Sequence, residues 1–104
     1  MRIYLSGKIT GNDNYYAEFI NAEIAVKRQY SKAEVINPAK CNQFLVGDCP
    51  TLPYEDLMNV CHAMLCSCDT ICMMPNWQNS IGARMEKSWA EERGITVIYI
   101  PYED

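Results

Sequence analysis

Basic residues are scarce in this sequence: nine Lys and Arg stand against 13 Asp and Glu, a formal charge of −4 over 104 residues. A chain so balanced offers no basic surface for a nucleic acid polymer or an anionic membrane, so neither is an expected partner. No apolar run approaches the ~20 residues that span a bilayer. Met1-Arg2-Ile3-Tyr4-Leu5 meets Ser6-Gly7-Lys8 before a signal-peptide core develops, which makes the cytoplasm the expected location. Imidazole is limited to His62. None of the six cysteines (Cys41, Cys49, Cys61, Cys66, Cys68, Cys72) pairs at C-x-x-C spacing, so no zinc ribbon, dithiol motif, metal or other cofactor is expected. Reduced, buried, apolar thiols are the plain expectation.

What is present is an ordinary globular mixture, 49% hydrophobic and 21% charged, sized for one domain over residues 1–104. A core this small would gain from added burial, and a homodimer or higher homo-oligomer is expected.

Strand and helix patterns alternate along the chain. Arg2–Ser6 is a β-branched and aromatic run ending at glycine. Asn12 or Asp13 can cap a helix with an apolar face of Tyr16, Phe19, Ile20, Ala22, Ile24 and Val26. Glu34–Asn37 is a second strand, stopped by Pro38. Residues 38–53 form a loop that is long for so small a domain. Tyr54 opens a helix with Leu57, Val60, Met64 and Leu65 at helical spacing. Thr70–Met74 is a continuous apolar run, as in a strand buried on both faces. Ser80 caps a third helix that Gly94 ends, and Ile95–Ile100 is the last strand. The expected fold is α/β, Rossmann-like or flavodoxin-like, with a parallel sheet of four to five strands and helices on both faces. Ligands in such sheets bind beyond the carboxyl ends of the strands, after Ser6, Asn37 and Met74.

Two of these loops carry chemistry. In Ser6-Gly7-Lys8-Ile9-Thr10-Gly11 the glycines let backbone amides approach an anion, with Lys8 and Thr10 as further donors. The spacing matches neither a P-loop nor a dinucleotide fingerprint. In the second, Trp77-Gln78-Asn79-Ser80-Ile81-Gly82-Ala83-Arg84-Met85-Glu86, a turn with Trp77 leads to Ser80, the N-cap. Gly82 then lies in the first helical turn, and Glu86, four residues on, shares its face. Small residues at Gly82-Ala83 leave room for a flat ligand beside that carboxylate.

The combination Ile3-Tyr4-x-Ser6-Gly7-x-Ile9-x-Gly11, Val35-Ile36-Asn37-Pro38, Cys68-Asp69, Pro75-x-Trp77 and Ser80-x-Gly82-Ala83-Arg84-x-Glu86 spans nearly the whole chain. It resembles a family of small bacterial and phage proteins related to the nucleoside 2-deoxyribosyltransferases and the 2′-deoxynucleoside 5′-monophosphate N-hydrolases. The resemblance implies a small-molecule nucleoside or nucleotide as substrate. It implies Glu86 as nucleophile at the anomeric carbon, Tyr4 as the residue that orients it, and Gly7 and Ile9 in the nucleotide pocket. Ser80, where the transferases often carry Asp, implies a contact to phosphate. The Asp that manages the proton of the leaving base is replaced by Cys61, and His62 beside it is the candidate acid if it faces the cleft. Three functions follow: an N-glycosidase for (deoxy)nucleoside 5′-monophosphates, a deoxyribosyltransferase that exchanges bases, or a nucleotide-binding protein without turnover.

Overall fold

The computed structural model describes residues 1–9, 11–40 and 54–100. Thr10, residues 41–53 with Cys41 and Cys49, the Tyr54 and Leu57 side chains and residues 101–104 lie outside the described residues, while residues 38–40, expected to begin a loop, are helical. Four strands, β1 (Arg2–Ser6), β2 (Glu34–Ile36), β3 (Thr70–Met73) and β4 (Thr96–Tyr99), form a sheet in the order β2-β1-β3-β4. All pairings are parallel; Tyr4 lies opposite Ile71, and Ser6 opposite Met73. Among the described residues they are connected by α1 (Tyr15–Gln29), α2 (Tyr54–Cys66) and α3 (Ile81–Glu92), with a short 3-10 helix at Trp77–Asn79 before α3. The α/β architecture expected from the alternating patterns is the one observed. None of the described helices is long and apolar enough to cross a membrane.

The two-residue period of a strand divides the core. Ile3, Leu5 and Cys72 pack with Phe19, Ala22 and Val26 of α1 on one side of the sheet. Tyr4, Ile71 and Met73 pack on the other side with Leu65 of α2 and with Ala83 and Ala90 of α3. Burying one such side chain contributes roughly 1.5–3 kcal/mol, so each face needs its helix. Ser6 has the parity of Tyr4 and therefore looks toward α2 and α3.

Several local expectations shift. The expected apolar face of α1 is too wide: Phe19, Ala22 and Val26 are buried, whereas Tyr16 and Ile24 are 37% and 47% exposed. The cap is also displaced. Asn14 occupies the N-cap position without a side-chain bond, while Asn12 braces the preceding loop. Its Nδ2 donates to the Lys8 carbonyl at 3.1 Å and to Glu18 Oε1 at 3.0 Å, and its Oδ1 accepts from the Asn14 amide. The end of β2 is tied to α1 by Asn37, whose Nδ2 donates to Glu23 Oε1 at 3.1 Å and to the Phe19 carbonyl. Burial pushes the Glu23 carboxyl pKa up, but hydrogen bonds from Lys27, Asn37 and Lys40 outweigh it, and the net shift is downward.

The two ends of α3 are as expected. The Ser80 hydroxyl accepts from the Ala83 amide at 3.1 Å, and Gly94 has φ +72° beyond the last turn. A Cβ at Gly94 would meet nothing within 4 Å, so only the backbone conformation disfavours a side chain there. Gly94→Ala should therefore cost about 1 kcal/mol of stability, read as a lower urea midpoint with an unchanged slope.

Candidate active site

The strand order reverses between β1 and β3: the chain moves outward from β1 to β2, then crosses back to the other side of β1. At such a switch point the connecting loops diverge and leave a crevice. Here the crevice is a cavity of about 430 Å³, within the range of small-molecule sites. Its lining includes Tyr4 and the loop Gly7–Ile9 from and after β1, Pro38 from the segment after β2, Cys61 from α2, and Ser80, Gly82 and Glu86 from the start of α3. Gly7 is required by close approach, since a Cβ there would lie 2.9 Å from Met74 Sδ and 3.1 Å from its Cβ.

Glu86 is 5% exposed. Its Oε2 accepts a hydrogen bond from the Tyr4 hydroxyl at 2.6 Å, and its Oε1 accepts one from the Ser6 hydroxyl at 2.7 Å. Both donors project from one face of β1, two residues apart, so the strand itself sets their separation. Among the described residues no cation forms an ion pair with Glu86. Burial pushes its carboxyl pKa from 4.5 up to about 7; the two hydroxyls pull the other way and do not cancel it. Burial, followed by the nearby Glu86 charge, raises the Tyr4 hydroxyl well above its ordinary value, so it remains a donor.

Ser80 is nearly buried. Its oxygen accepts the Ala83 amide, which leaves the hydroxyl proton able to donate. The first-turn amides of α3 and the positive end of its dipole favour negative charge beside it. The cavity can thus hold an anion at its rim and present a carboxylate on its wall.

Glu86, Tyr4, Gly7, Lys8, Ile9, Ser80 and Gly82 are brought together around this cavity. Gly11 and Trp77 are not among its lining. Gly11 has φ +75° at the outer end of the loop, and Trp77 packs near Tyr99 with Lys87 Nζ 5.5 Å from its ring centroid. His62 does not face the cleft either. Its ring meets Trp89 edge-on at 4.4 Å, and its Nε2 lies 3.7 Å from the exposed Cys66 Sγ. Its neighbour Cys61 lines the cavity instead. In the sequence Ser6 reads only as the end of β1 and the start of the glycine loop, although its alternation with Tyr4 carries the signal of a shared face. Among the described residues no group of three or more His, Cys, Asp or Glu could hold a metal ion. Cys72 is buried and its thiol is pushed up to about 12.

A family model described as a domain of unknown function (DUF4406) matches residues 1–99 of this chain. No curated protein and no solved structure matches it.

The raised Glu86 carboxyl couples stability to pH. The folded state binds this proton more tightly than the unfolded chain, so the associated stability is present below pH 4.5 and is lost as pH rises to about 7. The loss amounts to about 3 kcal/mol at most. Urea midpoints of wild type and Glu86→Gln should therefore diverge across this window, the Gln variant lacking that part of the slope. Ser6→Ala, which removes a bond to the charged form, should move the window to higher pH.

Proposed function

We propose that this chain, which belongs to the DUF4406 family, is an N-glycosidase acting on (deoxy)nucleoside 5′-monophosphates, with Glu86 as the nucleophile. The observation that carries the reading is the buried carboxyl of Glu86, held by Tyr4 and Ser6 on the wall of a cavity whose rim favours an anion. A carboxyl buried without a cation is costly to keep, and it is useful where positive charge develops at an anomeric carbon.

In this mechanism the 5′-phosphate sits against the first turn of α3, the Ser80 hydroxyl and the Lys8 ammonium, which fixes the sugar with its anomeric carbon toward Glu86. Tyr4 and Ser6 hold the carboxylate in one orientation, limiting the rearrangement needed for attack. A carboxylate oxygen bonds to the anomeric carbon as the bond to the base nitrogen breaks; the base departs with that electron pair and takes up a proton. Water then cleaves the glycosyl ester, returning a sugar phosphate and the free carboxyl. If a second base replaced water, the same ester would give base exchange. The small core favours self-association in this reading.

A second reading rests on Cys61. The resemblance places an acid at this position, but a neutral thiol is a weak proton donor, and a protein with this pocket could bind nucleotides without turning them over.

The test is release of free base from a panel of nucleosides and their 5′-monophosphates, followed chromatographically with and without an added second base. Glu86→Gln should lower release by about 10³-fold or more while still binding nucleotide. Because attack requires the ionised carboxylate, kcat/KM should rise with pH through a limb near 7. Nucleotide binding without base release, equal in wild type and Glu86→Gln, would establish the binding reading instead.

A further inference from the structure

A second cavity, of about 310 Å³, adjoins the first. Lys8 and Asn79 border both, so a ligand whose phosphate lies at Lys8 has a way out of the first cavity into the second. The two are chemically unlike. The first is lined by the aliphatic and aromatic surfaces of Leu5, Phe19, Met58 and Ala83 together with the Glu86 carboxyl. The second presents Glu18, Asn76 and Asn79 beside Lys8, over Met74 and Pro75.

Glu18, Asn76 and Asn79 are exposed, and the polar groups here are largely uncommitted. Among the described residues the side chains of Asn76 and Asn79 and the Lys8 ammonium have no hydrogen-bond or ion-pair partner. Asn76 holds φ +69°, a conformation that fixes where its carboxamide leaves the chain. Glu18 is anchored through Oε1 by Asn12 Nδ2 at 3.0 Å, which leaves Oε2 to accept from a ligand. Asn12 itself is spent on the Lys8 carbonyl, Glu18 and the Asn14 amide.

The donor and acceptor set selects a ligand class. A second anion would face the Glu18 carboxylate and be repelled, whereas hydroxyl groups can donate to Glu18 and both donate to and accept from the two carboxamides. We propose that the second cavity holds a neutral, hydroxyl-bearing group esterified to the 5′-phosphate, so that the preferred substrate is a nucleoside 5′-phosphodiester rather than the simple monophosphate. This rests on the function proposed above. The phosphate at Lys8 then joins two halves, the nucleoside in the apolar cavity and the hydroxylated group in the polar one.

The experiment is a calorimetric titration of the Glu86→Gln protein with three ligands sharing one base: a deoxynucleoside 5′-monophosphate, its 5′-methyl diester and its 5′-glyceryl diester, repeated for adenine, guanine, cytosine and thymine. The glyceryl diester should bind about tenfold tighter than the methyl diester. Asn76→Gly, which suits the left-handed backbone, should reduce that preference and leave monophosphate affinity unchanged, and Glu18→Ala should reduce the preference too. Equal affinity for the two diesters, or a preference that survives both substitutions, would overturn the second-cavity assignment. With base release from the monophosphate intact in wild type, the glycosidase reading would still stand. If none of the three ligands binds and wild type releases no base, both readings fall.

Discussion

The site depends on the double hydrogen bond between β1 and α3. Tyr4 and Ser6 reach across from the sheet and hold the two oxygens of Glu86 at 2.6 and 2.7 Å. Without them a carboxyl that is 5% exposed would have lost its water without replacement donors. With them the group is still unfavourable as an anion, as its rise to about 7 indicates. Burial wins over hydrogen bonding. An apolar residue at this position would suit the core on that face better, where Leu65, Met73 and Ala83 already pack. A carboxyl kept at such a cost is what gives the cavity its chemical character.

Topology puts the remaining parts within reach of that carboxyl. The order β2-β1-β3-β4 places β1 and β3 side by side at the point where the chain reverses direction across the sheet. The loop after β1 and the start of α3 therefore open together at the carboxyl ends of the strands. Gly7 keeps the first of these loops pressed against Met74, and Ser80 closes the first turn of α3. The carboxylate and the anion-favouring helix end, both on α3, thus meet the Lys8 ammonium from the loop after β1, far from them in sequence.

Much of this could be read from residue order. The apolar run Thr70–Met73 is fully buried, and the cap at Ser80 and the stop at Gly94 are chemical signals that local geometry obeys. What was illegible depended on rotation about a helix axis or on distant packing. Adjacent helical residues point about 100° apart, so Cys61 and His62 look in different directions, and Leu65, one turn on from Cys61, decides which is inward. Trp77 sits in a turn, where nothing periodic predicts its direction; contacts near Tyr99 and Lys87 set it. Ser6 reads as the end of a strand, because its partner lies 80 residues away.

The strict division of labour along β1 has a consequence for how the chain can vary. Ile3 and Leu5 seal the sheet against α1, while Tyr4 and Ser6 serve Glu86 on the opposite side. Because the two roles alternate residue by residue, a single insertion or deletion within the strand would exchange them. Aliphatic side chains would then confront the acid, and both hydroxyls would be turned into hydrocarbon. Lineages carrying this architecture are thus free to drift in side-chain size along β1 far more readily than in its residue count.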